Sequence, residues 1–159
     1  MKAISILQPW ASLIVLGAKK FETRSWKTEH RGPILIHSGR RFQTAQKNLC
    51  TQQPFFSALK LDGKTLDGTL PLGHIIGVAI LEDCIHLEEG GAITATERAF
   101  GDFGRGRYAW HMICPQPLAV PLAHKGMLGV FNVDNSLLAA CAENRGILMP
   151  FLAGDLSVP

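Results

Sequence analysis

Apolar and polar positions run in short blocks along this chain, and the period changes from block to block. Ala3 to Leu7 is apolar and of strand length. Gln8-Pro9 follows, and proline suits the first turn of a helix. Trp10 to Leu16 then predicts a short helix closed by Gly17, with apolar residues nearly all round and therefore largely buried. Lys20 to Trp26 predicts a strand carrying Phe21 and Thr23 on one face and Glu22, Arg24 and Trp26 on the other. Pro33 to His37 reads as a central strand, and Arg40 to Leu49 as a helix with Ser38 as its cap.

The second half is less regular. Residues 50–72 are mixed, with Asp62-Gly63, Asp67-Gly68 and Pro71 as turn signals, and read as an irregular excursion. Gly73 to Cys84 is the strongest strand pattern. Thr94 to Phe100 predicts a turn or two of helix. A Gly-rich loop from Gly101 then enters a strand that ends near Cys114, after which Pro115, Pro117 and Pro121 interrupt the chain. Leu128 to Val133 predicts another strand, and Asp134 caps a helix running to Asn144. The pattern amounts to about five or six strands and three short helices without a βαβ rhythm, an α+β arrangement built on a mixed β-barrel. Residues 1–146 form the expected domain, and residues 147–159 a tail that packs on it or frays.

Composition narrows the class. The 159 residues suit one domain, and 47% hydrophobic with 18% charged residues favours a core over disorder. No apolar run is long enough for a membrane helix, and the first residues lack a signal-peptide pattern, so a cytoplasmic protein is expected. The four cysteines form no C-x-x-C pair and the histidines have no metal spacing, so neither a metal nor another cofactor is expected. Charge is uneven: residues 1–50 carry nine basic and two acidic residues, a balance of +7 on a chain whose net charge is +3. Such a segment points either to a phosphate-bearing partner or to a solvated basic face.

Residues 5–40 carry a recognisable order of motifs. Ser-Ile-Leu-Gln-Pro-Trp-Ala-Ser-Leu-Ile is followed by Gly-x-Lys, then by Phe-Glu-Thr-Arg-Ser-Trp, then by His-Arg-Gly-x-x-x-Ile-His. Downstream stands Gly104-x-Gly-Arg-Tyr-Ala-Trp110. This order resembles the ASCH domain, the activating signal cointegrator homology domain, a branch of the PUA-like superfamily. The resemblance implies a PUA-like pseudo-barrel flanked by short helices, a cleft beside the first helix, and a role in handling RNA or DNA.

Candidate residues follow from both readings. Lys19, Glu22 and Arg24 combine an amine, a carboxylate and a guanidinium, a set suited to acid–base work, to clamping phosphate, or to an internal salt bridge. The resemblance places these positions in the cleft. Lys20, Trp26, Arg31, Arg40, Arg41, Arg105, Arg107 and Tyr108 add cations and stacking surfaces for RNA or single-stranded DNA. The first reading is therefore a nucleic-acid-binding module that touches no membrane. The alternative is a small hydrolase of the same superfamily, a ribonuclease or a modified-nucleoside amidohydrolase, using Lys19, Glu22 and the distant acid Glu97. One branch, acting on acylated cytidine, is similar in its working Lys. It also uses a Thr three residues later, where this chain has Glu22. Strand alternation turns the neighbouring Thr23 to the opposite face.

Overall fold

The computed structural model describes residues 1–61, 69–88 and 93–154. Its frame is one six-stranded mixed sheet in the order β2-β5-β4-β3-β1-β6. The strands are β1 (Lys2–Ile6), β2 (Phe21–Arg24), β3 (Gly32–Ser38), β4 (His74–His86), β5 (Tyr108–Ala123) and β6 (Val130–Asn132). β1 and β3 run parallel, with Ser5 opposite His37, and the other pairs are antiparallel. Continuous apolar runs form the middle of this sheet because both its faces are covered. Ile4, Ile34, Ile36, Ala79 and Leu81 point to one face, under α1 (Trp10–Val15). Ala3, Leu35, Ile75 and Val78 point to the other, against the C-terminal helices α5 (Asn135–Ala140) and α6 (Arg145–Ala153).

The sheet curls into a half-barrel. β6 pairs only with Lys2 to Ile4, so β1 runs beyond it. Across that gap Arg24, on the edge strand β2, donates from Nη2 to the Ser5 carbonyl at 2.7 Å. One side chain thus ties the two ends of the sheet where no backbone ladder joins them.

Several expectations change. The helix expected over Arg40–Leu49 is α2 (Thr44–Cys50), and Gln43, not Ser38, forms a capping box with Gln46. Ser38 is instead the last residue of β3, and its hydroxyl donates to the His74 carbonyl. The excursion over 50–72 is partly ordered. α3 (Phe55–Ala58) brings Phe55 against Leu13 and Phe100 in a third apolar cluster, which Leu59, Leu61 and Leu70 join from outside the helix. The Asp62-Gly63 and Asp67-Gly68 turns lie outside the described residues. Pro115, Pro117 and Pro121 do not end β5. The pairing with β4 shifts register between Val78 and Ile80 and again between Ile75 and Gly77, so bulges in β5 take up Cys114-Pro115 and Pro121. Bulges tolerate residues that cannot donate to a ladder. The chain from 147 to 154 packs on the body, with Leu148 and Phe151 buried. No helix among the described residues is long and apolar enough to cross a membrane.

The seating of α1 fixes the site described below, and Gly77 permits it. A Cβ at Gly77 would lie 2.6 Å from Val15 Cγ2 and 2.9 Å from the Gln116 carbonyl oxygen. Gly77→Ala should therefore cost about 1–3 kcal/mol in denaturant unfolding. Combining it with Val15→Ala should give a favourable coupling but incomplete recovery, since the carbonyl stays. Additive losses would contradict this contact.

Candidate nucleic-acid interface

A cavity of about 410 Å³ opens beside α1, between the edge strand β2, the end of β1 and the Gly101–Arg107 loop. Its wall includes Trp10, Lys19, Glu22, Thr23, Arg24, Trp26, Gly101, Asp102 and Arg107. The end of α1 puts Lys19 there. Gly17 takes φ +74, and the backbone N–H groups of Ala18 and Lys19 both return to the Leu13 carbonyl at 2.9 and 3.0 Å. That reversal sends the Lys19 side chain inward, where the residue is 2% exposed.

Its ammonium meets few acceptors. Nζ stands 3.5 Å from Glu97 Oε1, at the outer edge of hydrogen bonding, and no other acceptor among the described residues completes its shell. The Phe103 ring lies 5.2 Å from Nζ. Burial pushes the Lys19 pKa down, and the nearby Glu22 and Glu97 carboxylates oppose that shift. Glu97 belongs to the short helix α4 (Ala95–Ala99), capped by the Thr94 hydroxyl. Its two oxygens accept from the backbone N–H groups of Lys20 and Phe21, each at 3.0 Å. The carboxylate therefore fixes the start of β2 and faces Lys19 at once.

The other two cations of the wall are also matched. Arg24 Nε lies 3.0 Å from Glu22 Oε1. Arg107 Nη1 lies 3.4 Å from Asp102 Oδ2, and its Nη2 donates to the Thr23 carbonyl at 3.1 Å. Glu22 is buried, and burial pushes its pKa up against the pull of Arg24, Lys19 and Arg107. Trp26 also lines the cavity, and its partly buried ring stands edge to face with the buried Trp110 at 4.6 Å.

Of the residues singled out from sequence, Lys19, Glu22, Arg24, Trp26 and Arg107 meet on this wall, with Glu97 behind Lys19. Lys20, Arg40, Arg41 and Arg105 are exposed outside it. Lys20 and Arg105 adjoin wall residues in the chain. Arg40 and Arg41 follow Gly39, which packs on the wall residue Leu7. Arg31 lies apart at the other end of β3, held by Asp83 at 2.9 Å and by the Thr28 and His30 carbonyls. Tyr108 lies against His86 at 4.9 Å, not in the cavity. Among the described residues no group of three or more His, Cys, Asp or Glu side chains gathers as a metal site would.

Thr23 corrects the alternation argument. Its Oγ1 would sit 3.7 Å from a Cβ at Gly101, and Lys19 Nζ 3.0 Å from the same point. β2 is an edge strand with the cavity along it, so residues of both its faces reach the wall. Thr23, Asp102 and the Ser5 carbonyl are the parts that strand periodicity missed. The one sequence signal for Asp102 was its place in the Gly-Arg loop.

Glu22 gives a sign that can be checked. A carboxyl whose pKa is raised in the folded state stabilises fully below its unfolded value of 4.5. That contribution is lost as pH rises through the folded pKa. The difference in thermal midpoint between Glu22→Gln and wild type should therefore shift in favour of the variant as pH rises above 4.5. A difference that stays flat, or moves the other way, would contradict the burial argument.

Comparison with known proteins places this geometry. The ASCH domain family model matches residues 4–121. Activating signal cointegrator 1 from Homo sapiens is 28% identical over 137 residues, covering 84% of this chain and 22% of the relative's own length. The Mus musculus protein of that name matches equally. The chain thus spans less than a quarter of these relatives. The crystal structure of ASCH from Zymomonas mobilis superposes with a TM-score of 0.54 at 16% identity, covering 86% of this chain and 89% of that one. The crystal structure of a mutant form of that Zymomonas mobilis protein gives a TM-score of 0.51 at 16% identity, over 93% of each chain. The family match contains the sheet from β1 through most of β5 and every residue of the cavity wall, and the chain belongs to the ASCH domain family, a PUA-like fold associated with RNA binding.

Proposed function

We propose that this domain binds single-stranded RNA or DNA by taking one unpaired base into the cavity while exposed cations hold the neighbouring phosphates. The charge balance of the wall carries this reading. Lys19, Arg24 and Arg107 each face a carboxylate, at 3.5, 3.0 and 3.4 Å. A phosphate entering there would meet those carboxylates and gain little. A neutral, planar, polar group fits better, because the wall offers donors, acceptors and the Trp26 ring. The volume supports it: about 410 Å³ lies near the small end of ligand pockets, which run from about 300 to 1,000 Å³. Lys20, Arg40, Arg41 and Arg105 lie outside the wall and exposed, where phosphate contacts supply affinity without reading sequence.

A second reading has one observation in its favour. Thr23 places a hydroxyl on the wall that Lys19 also lines, with Glu97 next to that amine. These groups and Glu22 would serve a modified-nucleoside hydrolase. Incubation with RNA and with acylated cytidine, followed by product analysis, separates the two. The binding reading expects intact strand and intact nucleoside, and a product lost on Glu22→Gln or Lys19→Ala would replace it.

The two parts of the binding reading are separable by salt titration. Arg40→Ala with Arg41→Ala should flatten the slope of log affinity against log salt by about one unit per lost phosphate contact. Trp26→Ala should weaken binding by about 1–3 kcal/mol, the worth of a stacked base, with the slope unchanged. The reverse pattern would contradict the division of labour between wall and rim.

A further inference from the structure

Lys19 is more than the binding reading uses. It is 2% exposed, its Nζ lies against the Phe103 ring at 5.2 Å, and its hydrogen-bond shell is incomplete. Lys20, its neighbour in the chain, is exposed. A desolvated amine on a cavity wall is the form of lysine that attacks carbonyl carbon. Glu97 Oε1 stands 3.5 Å from that nitrogen and is held in place by the Lys20 and Phe21 N–H groups, so a proton relay adjoins the nucleophile. Gly101 borders that nitrogen closely: a Cβ there would come within 3.0 Å of Nζ, so any larger residue would fill the space beside it.

We infer that Lys19 forms an imine with the aldehyde of a nucleotide that has lost its base, the ring-opened abasic sugar of a single strand. The inference rests on the strand-binding reading above. A strand position without a base leaves the cavity unfilled, and its aldehyde carbon takes the space beside Nζ. Glu97 first takes one proton from the ammonium. The freed nitrogen lone pair attacks that carbon, a C–N bond forms, and the carbonyl π electrons move to oxygen. Glu97 passes that proton to the oxygen and takes a second from the nitrogen, giving the carbinolamine. The second proton follows as the C–O bond breaks, so oxygen leaves as water, and the nitrogen keeps its third proton in a protonated C=N bond. No oxidant, metal or further reactant enters.

The test uses the full chain and a single-stranded oligonucleotide carrying one abasic site, reduced with borohydride during incubation. Hydride adds to the imine carbon and fixes the link as a secondary amine. The expected result is one adduct, mapped by peptide mass spectrometry to Lys19. Lys2 is exposed and outside the wall, so Lys2→Ala should trap as wild type. Lys19→Arg should lower trapping at least tenfold per bound strand, its affinity for the strand being measured in parallel. The adduct position on the wild-type chain decides the matter even if Lys19→Arg fails to fold. An adduct on Lys20 or any other amine overturns the inference. So does equal trapping of glyceraldehyde at the same concentration, which would make the amine indifferent to the strand. No adduct with intact-strand binding retained overturns the imine alone. Loss of both overturns the strand-binding reading beneath it.

Discussion

A carboxylate buried at Glu97 has to be met by donors on every side, and the way this chain meets that demand organises the site. Two of its partners are the backbone N–H groups of Lys20 and Phe21, so α4 is fastened to the first residues of β2. The third is the ammonium of Lys19, drawn inward by the reversal at the end of α1. Helix, edge strand and Gly-Arg loop are therefore placed relative to one another by one side chain. Arg24 completes the enclosure from the other end of β2, through the Ser5 carbonyl. Removing the Glu97 charge would leave a buried ammonium and orphaned donors, a far larger loss than that of a surface ion pair.

Charge matching inside the cavity gives it a different character from its rim. Surface cations with no carboxylate nearby attract phosphate over a distance and are screened by salt. Cations already facing carboxylates contribute direction and donors rather than net attraction. The basic N-terminal segment is thus divided by the fold: Lys19 and Arg24 go to the wall and Arg31 to an ion pair with Asp83, while Lys20, Arg40 and Arg41 stay outside. A count of charges along the chain could not separate these roles, because burial and pairing decide them.

Legibility followed the range of the physics involved. β1, β3 and β4 could be read because uninterrupted apolar runs have few alternatives once length is considered. The Lys19, Glu22, Arg24 and Trp26 group was visible because it is local in sequence. β5 was cut short in the reading because proline argues against a strand, and only pairing with β4 shows where bulges absorb it. α3 was missed because Phe55, Leu59, Leu61 and Leu70 gain meaning only against Leu13 and Phe100, which lie far away in the chain. Thr23 was assigned to the wrong side because alternation describes the two faces of a sheet, and this cavity lies along an edge. Asp102 and the Ser5 carbonyl belong to the wall through closure of the half-barrel, a tertiary event with no local signature.

The central claim is that the cavity takes a neutral base and the rim takes phosphate. Backbone and indole NMR titration with unphosphorylated nucleosides and, separately, with inorganic phosphate tests it directly. The account predicts that at least one nucleoside saturably shifts the resonances of Thr23, Gly101 and the Trp26 indole, while phosphate at low salt shifts those around Arg40 and Arg41 and leaves the wall unmoved. Saturable phosphate binding at Gly101 and Thr23, with no response there to any nucleoside, would contradict it.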